Sequence, residues 1–275
     1  MARVGDIGRR GLTRPAQAVL DGCGYGIAAA LAAVAAARGG KAVHPHGVVY
    51  EARLLIDGAP GAALGSELLD TPAAHMAIMR FSRSLGLPRP LPDLLGVSLR
   101  VIDAYGPDRH QDVLMVSSVD RPVLHHGFVP ASDVQQRPYS SSLPYRAGKQ
   151  KYVLGVMPDP ASPRPAGGDE FDRLGRAAAS GRLLFGLGIA PVNGRFKKIG
   201  TLHVHERLPH ELDALRFSPF NCGGGLQPVG LLNRLRDYAY PLSQAAWARR
   251  NDQAAKQVEA DAALERIARQ RKSAA

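Results

Sequence analysis

Cysteine, aromatic residues and long apolar runs are all scarce in this chain. Its 275 residues include only Cys23 and Cys222 as cysteines, too few for a disulfide framework and compatible with a reducing cytoplasm. Aromatic residues make up 6% of the sequence, and the longest apolar run covers residues 27–37. A membrane-spanning helix needs about 20 apolar residues. We therefore expect no membrane span, and we interpret the run as a packed helix with Ile27, Leu31 and Val34 on one face.

The charge is strongly positive but not concentrated. Lys and Arg number 35 against 24 Asp and Glu, which gives a formal net charge of +11, and 45% of the residues are apolar. Such an apolar content excludes wholesale disorder. The basic residues are scattered, and no nucleic-acid motif accompanies them. The composition predicts a folded protein that does not bind nucleic acid and whose charge suits a pocket for an acidic ligand.

Short alternating segments dominate the middle of the chain. Strands are predicted over residues 48–57, 95–104, 112–118, 122–128, 149–157, 182–190 and 200–207. Helices are predicted over 71–85, over 171–180 and through the last 45 residues. Evenly spaced strands with few βαβ units favour an α+β fold, with an antiparallel sheet or barrel flanked by helices. We expect residues 1–40 to form an N-terminal arm and helix, and residues 41–275 to form the barrel with C-terminal helices.

Two histidine pairs raise the possibility of a metal site. His203 and His205 lie two residues apart on a predicted strand, so both imidazoles share one face, and Glu211 follows. This spacing loosely matches the ligand pattern of cupins and leaves a non-haem metal enzyme open as an alternative. His125 and His126 are consecutive, so on a strand they would point to opposite faces.

Three short segments, taken in chain order, indicate a more specific chemistry. The third segment carries Arg236 and Tyr240, which are one helical turn apart on one face. A guanidinium beside a phenol favours the phenolate, which is a suitable ligand for ferric iron. The first segment contains Lys41, His44 and Gly47, and the second is Arg80-Phe81-Ser82.

This set resembles the haem-binding core of catalases and of the smaller catalase-related haem peroxidases. That family carries Arg-Val-Val-His-x-x-Gly, then Arg-Phe-Ser, then Arg-x-x-x-Tyr-Pro. Weaker similarities are found in residues 92–97, 110–114 and 138–146. The resemblance implies a catalase-type antiparallel β-barrel that binds haem b and lacks the C-terminal helical domain of catalases. It leaves a homo-oligomer open.

The resemblance also implies roles for individual residues. His44 would be the distal base, which takes a proton from peroxide and returns it to the leaving oxygen. Ser82 would accept a hydrogen bond from the other imidazole nitrogen and fix its tautomer.

The remaining implied roles concern the cofactor. Lys41 and Arg80 would pair with the haem propionates. Tyr240 would be the axial ligand of the iron, and Arg236 would stabilise its phenolate.

Departures from the family pattern bear on the reaction. Lys41 stands where catalases have arginine, and Trp247 stands where a further propionate-binding arginine is expected, with Arg249 and Arg250 nearby. No asparagine follows Asp112; the corresponding stretch is Val116-Ser117-Ser118. Because that asparagine positions peroxide in the family, we expect weak catalase activity.

The sequence therefore predicts a haem peroxidase that uses hydrogen peroxide or an organic hydroperoxide to oxidise a small organic donor. Two alternatives within the same fold stay open. One is the rearrangement of fatty-acid hydroperoxides, as in allene oxide synthases, and the other is a haem-binding protein without turnover.

Overall fold

A computed structural model describes residues 46–58, 63–230 and 251–273. This part of the chain contains ten strands and three α-helices. The strands are β1 (His46–Ile56), β2 (Ala73–Arg83), β3 (Leu95–Val101), β4 (Gln111–Ser117), β5 (Tyr139–Ser140), β6 (Tyr145–Ala147), β7 (Gln150–Pro158), β8 (Leu183–Pro191), β9 (Lys197–Arg207) and β10 (Leu226–Pro228). The helices are α1 (Glu67–Asp70), α2 (Glu170–Ala179) and α3 (Asn251–Ser273).

Eight of the strands close into an antiparallel barrel. Their order is β1, β2, β3, β4, β5, β7, β8 and β9, and β9 pairs back onto β1. Strands β6 and β10 extend the sheet beside β7. Closure leaves the eight strands without an open edge, which is how barrels avoid unpaired backbone groups. The α+β fold with an antiparallel barrel and flanking helices, predicted from the sequence, is confirmed.

Alternation along the strands separates an inner from an outer face. On β2, Met79 and Phe81 point into the barrel core, whereas Ile78 joins a second apolar cluster on the outside. This outer cluster includes Leu212, from a 3-10 helix at His210–Ala214, and Leu264 of α3. Part of the outer face of β1 to β4 is therefore itself covered, and polar side chains in this part, such as Arg80 and Arg100, are buried.

The predicted helix over residues 71–85 is wrong, because this segment forms β2. Residues 77–83 are all buried, since β2 lies between β1 and β3 and both of its faces are covered. Burial on both faces removes the alternation that usually marks a strand. The predicted strand over 122–128 is also wrong, and a 3-10 turn forms at Leu124–His126 instead.

The other predicted strands and the helix at 171–180 are found within a few residues of their expected bounds. Helix α2 begins at a capping box in which the Asp169 carboxylate accepts from the amides of Phe171 and Asp172. Its Leu174 and Ala177 join the barrel core. Helix α3 agrees with the predicted C-terminal helix, whereas the helix predicted at 27–37 and the boundary at residue 40 lie outside the described residues. No helix in the described part is long and apolar enough to cross a membrane.

Candidate functional site

The structure places two of the predicted site residues together on the outer face of the barrel. Arg80 and Ser82 are both buried and alternate with the inward-facing Phe81 on β2. Across the sheet, Ser82 is in register with Gly47 of β1 and Gly96 of β3. The other predicted residues lie outside the described part of the chain; they are Lys41, His44, Arg236, Tyr240, Arg249 and Arg250.

Arg80 is packed against the backbone of β1. Its side chain fills the space beside Gly47, where a Cβ atom would lie 2.8 Å from the guanidinium carbon of Arg80 and 2.6 Å from the carbonyl oxygen of Phe81. Burial lowers the pKa of Arg80 to about 10, and Asp213 partly opposes the shift. The residue is 5% exposed. A guanidinium held in this way binds a carboxylate more strongly than an exposed one, because water competes less.

A cleft of about 490 Å³ opens beside Arg80. Its walls combine cationic and apolar residues with one acidic side chain: Gly47, Arg80, Arg83, Gly86, Leu87, Arg89, Phe171 and Asp213. Arg83 and Arg89 are each engaged with acids. Arg83 contacts Asp93 at 3.3 Å and Glu170 at 3.0 Å, and Arg89 contacts Asp169 at 2.6 Å.

These contacts give Asp93 and Arg83 a structural role. The Asp93 carboxylate accepts hydrogen bonds from the amides of Leu85 and Leu87, and Arg83 donates to the carbonyls of Leu87 and Leu91. Together they fix the β2–β3 loop that forms one wall of the cleft. The sequence showed Asp93 only as a weak family similarity, and Arg83 was missed because nothing in the sequence reveals its contact with Glu170, 87 residues further along the chain.

Asp112 also has a structural role. It is fully buried and accepts two 2.7 Å hydrogen bonds from Arg100, its register partner on β3, and a third from the Ser218 amide. Arg100 donates in addition to the Arg216 carbonyl. The pair therefore ties residues 216–218 to the outer face of the barrel. The signal that sequence reasoning passed over was Arg100 itself, a charged residue inside an otherwise apolar strand.

The stretch that replaces the expected asparagine offers only one side chain to the outer face. Val116 is in register with Gly96 and partly exposed. The hydroxyl of Ser117 donates to the Val129 carbonyl, and that of Ser118 donates to the Gly127 carbonyl. Both serines are therefore used to hold the loop that follows β4, and Val116 alone occupies the row of Ser82.

The histidine pairs do not form a metal site among the described residues. His203 and His205 share one side of β9 with their rings 6.5 Å apart. No group of three or more His, Cys, Asp or Glu side chains in the described part can hold a metal ion. His125 and His126 lie in the 3-10 turn with their ring centroids 4.5 Å apart, so the strand on which they would point to opposite faces does not form.

Comparison with known proteins finds similarity at the level of structure alone. No protein-family model matches the sequence, and no curated protein does. The solved structure of a bacterial catalase matches with a TM-score of 0.54 and 12% identity, covering 74% of this chain and 56% of that one. A fungal catalase matches with a TM-score of 0.52 and 12% identity, covering 74% and 58%.

The chain thus spans somewhat more than half the length of these two catalases. At 12% identity the likeness shows the fold and nothing finer. The similarity agrees with the closed antiparallel barrel described above. This chain has the catalase-type β-barrel fold.

Proposed function

We propose that this protein is a haem-dependent peroxidase that uses hydrogen peroxide or an organic hydroperoxide to oxidise a small organic donor. The observation that carries the proposal is the placement of Arg80 and Ser82. Both belong to one motif of the resemblance, and both lie buried on one face of a catalase-type barrel. Gly47 of the first motif is in register with Ser82, so the described parts of two separate motifs meet at one place.

The described residues fit haem in charge and in surface. Haem carries two carboxylates, which need cationic partners in a partly buried setting. Arg80 lines the cleft, and Leu87 and Phe171 add apolar surface to its walls. Because Gly47 has no side chain, the Arg80 side chain fits beside it; a Cβ atom at residue 47 would collide with the Arg80 guanidinium. In this proposal Lys41 would supply a second cation, Tyr240 would supply an oxygen ligand to the iron, and Arg236 would stabilise the phenolate of Tyr240.

Haem bound there would supply the redox chemistry that couples reduction of a peroxide to oxidation of a donor. The protein's own contribution is proton transfer. His44 takes the proton from one peroxide oxygen and returns it to the other, which leaves as water, or as an alcohol from an organic hydroperoxide.

Ser82 has the capacity to orient that imidazole. Its hydroxyl donates to the Gly96 carbonyl at 3.5 Å. A hydroxyl that donates its proton keeps lone pairs with which it can accept from an imidazole N–H. The position of His44 in the chain supports a hydrogen bond between His44 and Ser82. Gly47 is in register with Ser82, and His44 lies only three residues before Gly47.

Hemin titration of the purified protein tests the proposal. We expect a high-spin ferric haem spectrum that Tyr240→Phe abolishes or shifts. Arg80→Met should weaken hemin binding at least tenfold. Burial lowers the pKa of Arg80 to about 10, so desolvation of its charge opposes folding at neutral pH, a cost that methionine does not carry. Urea unfolding of the apoprotein shows whether a loss of hemin binding reflects a loss of stability.

Arg53→Met is the matched control, because Arg53 is exposed on the outer side of β1 and does not line the cleft. A protein that stays colourless with hemin, or an Arg80→Met variant that stays folded and keeps its hemin affinity, would contradict the proposal.

Measurements of turnover distinguish the proposed peroxidase from the two alternative functions. In the haem-loaded protein, His44→Ala should retain the cofactor and slow peroxide-driven donor oxidation by roughly 10²–10⁴-fold. Hemin binding without turnover would instead indicate a carrier or sensor. Conversion of a lipid hydroperoxide without consumption of a donor would indicate the rearrangement reaction.

A further inference from the structure

Exposed leucines are concentrated on the loop between β2 and β3. Leu85, Leu87 and Leu91 are 45%, 39% and 53% exposed. They lie within residues 85–91, which also contain two prolines. They account for three of the seven exposed large apolar side chains in the described part of the chain. Clustered exposed apolar residues mark surfaces that contact something else.

The loop holds these leucines in a fixed arrangement. The carbonyls of Leu87 and Leu91 accept hydrogen bonds from the same guanidinium nitrogen of Arg83, at 3.1 and 2.8 Å. The amides of Leu85 and Leu87 donate to the two oxygens of the Asp93 carboxylate, at 2.9 and 3.0 Å. Because Arg83 and Asp93 are buried and paired with each other, the leucine loop (residues 84–94) presents a preformed apolar surface.

The leucine loop adjoins the point at which the first 45 residues join the barrel. It begins directly after Arg83, whose register partner on β1 is His46. Residues 27–37 form the longest apolar run of the chain, with Ile27, Leu31 and Val34 at helical spacing. Only residues 38–45 separate that run from His46. Eight residues span at most about 27 Å when extended, which is ample for a return to an adjacent loop.

We propose that residues 27–37 dock as a helix on Leu85, Leu87 and Leu91. An eleven-residue helix is about 16 Å long, and its apolar face matches a compact patch of three leucines. A lipid surface is a poorer fit, because the arginine within the loop, Arg89, is already paired with Asp169 and Glu170. The loop therefore brings no spare positive charge for anionic headgroups.

Docking would constrain the segment that carries Lys41 and His44. That segment is joined to β1 at one end and would be joined to the docked helix at the other, which would limit its movement relative to the barrel. This functional consequence rests on the proposed haem peroxidase. The docking itself does not, since it needs only the two apolar surfaces and the short connection between them.

Disulfide trapping tests the docking without haem. In a Cys23→Ser, Cys222→Ser background, the pair Leu31→Cys with Leu91→Cys should oxidise to an intramolecular disulfide. The control pair is Leu31→Cys with Val258→Cys, in which Val258 is an exposed apolar residue of α3, 69% exposed. This pair should oxidise at least tenfold more slowly than the first pair. Equal rates in the two pairs would overturn the proposal, as would cross-linked dimers from the first pair alone, which would make a second copy the occupant.

Limited proteolysis supplies a second readout. Leu85→Gln with Leu91→Gln keeps the cleft residue Leu87, and should speed tryptic cleavage after Arg38 and Lys41 at least fivefold relative to Val258→Gln. Unchanged cleavage, or loss of binding to phosphatidylcholine vesicles as the variant's sole effect, would overturn the docking. If the Leu31→Cys, Leu91→Cys pair forms its disulfide in a protein that does not bind hemin, only the haem peroxidase proposal is refuted. If the protein binds hemin and this disulfide does not form, only the docking proposal is refuted.

Discussion

At the scale of single residues, the barrel contains a buried titratable group that the proposed function does not use. His125 is fully buried in the loop between β4 and β5. Its ring packs against His126 at 4.5 Å and Phe196 at 5.5 Å. Burial and the neighbouring His126 lower the pKa of His125, and the backbone of Val192 and the Asp120 carboxylate oppose the shift only in part.

This shift predicts a loss of stability in mild acid. The unfolded chain binds a proton at His125 near pH 6.5, whereas the folded state does so only at lower pH. The contribution of His125 is therefore fully favourable above about pH 6.5 and is lost as the pH falls through the lowered pKa, by up to roughly 1.4 kcal/mol per pH unit. His125→Phe should flatten this part of the profile, measured as urea unfolding free energies at pH 7.5, 6.5 and 5.5.

Phe196→Leu is the control for this prediction, because it removes a ring contact and leaves the histidine. It should lower stability at every pH and keep the slope. His75 and His110 also have lowered pKa values, so some slope should remain in His125→Phe. A slope identical to that of the unmodified protein would contradict the assignment.

At the scale of elements, the candidate site depends on how closely β1 approaches β2. Gly47 lies opposite Ser82 and beside the guanidinium of Arg80. The space that a side chain at residue 47 would need is taken by a guanidinium and by a backbone carbonyl, and the carbonyl cannot move without disturbing the pairing of β2 with its neighbours. Glycine at residue 47 therefore leaves the space that the guanidinium of Arg80 occupies.

Gly47→Ala should therefore destabilise the barrel by about 1–3 kcal/mol, the usual cost of overpacking, and weaken hemin binding because Arg80 is displaced. Urea denaturation and hemin titration measure the two effects. Gly175→Ala in α2 is the matched control, since its Cβ meets only the Tyr50 hydroxyl at 3.5 Å, and it should stabilise by about 0.5–1 kcal/mol.

Combining Gly47→Ala with Arg80→Met should recover part of the lost stability, because one of the two collisions disappears. Coupling between such neighbours is typically 0.5–3 kcal/mol. Strict additivity of the two variants would show that the guanidinium is not what excludes a side chain at residue 47.

The elements also show how far sequence reasoning reaches. Burial alternates over residues 200–204 of β9, and the sequence predicts a strand there, although β9 begins three residues before the predicted start, at Lys197. Strand β2 was taken for a helix because both of its faces are buried. The structural ion pairs of Arg83 and Arg100 were missed since an arginine in a sequence does not reveal which distant carboxylate it meets.

At the scale of the whole molecule, the barrel acts as a scaffold that displays residues from separate motifs on one outer face. Register alone aligns Gly47, Ser82, Gly96 and Val116 in a row across β1 to β4. The family resemblance predicts roles for Arg80 and Ser82, and the topology explains why both are buried although they lie on the outer face of the barrel. What local patterns could not supply is the second covering layer, made by residues 208–217 and α3.

The row also predicts how the balance between two peroxide reactions can be changed. Val116 lies two strands from Ser82, about 10 Å away at ordinary strand spacing, and offers no hydrogen bond to a second peroxide. Val116→Asn introduces an amide with both donors and an acceptor on the same face. In the haem-loaded protein it should raise oxygen release from hydrogen peroxide relative to donor oxidation, measured with an oxygen electrode and a phenolic donor.

Val116→Thr is the control for this change, because it keeps the shape of valine and adds a hydroxyl without an amide. It should leave the ratio of oxygen release to donor oxidation close to that of the unmodified protein. If Val116→Asn binds hemin normally and the ratio still does not rise, Val116 does not occupy the position that the family resemblance gives it. The cause of the limited oxygen release expected of the unmodified chain would then lie at another position on the outer face.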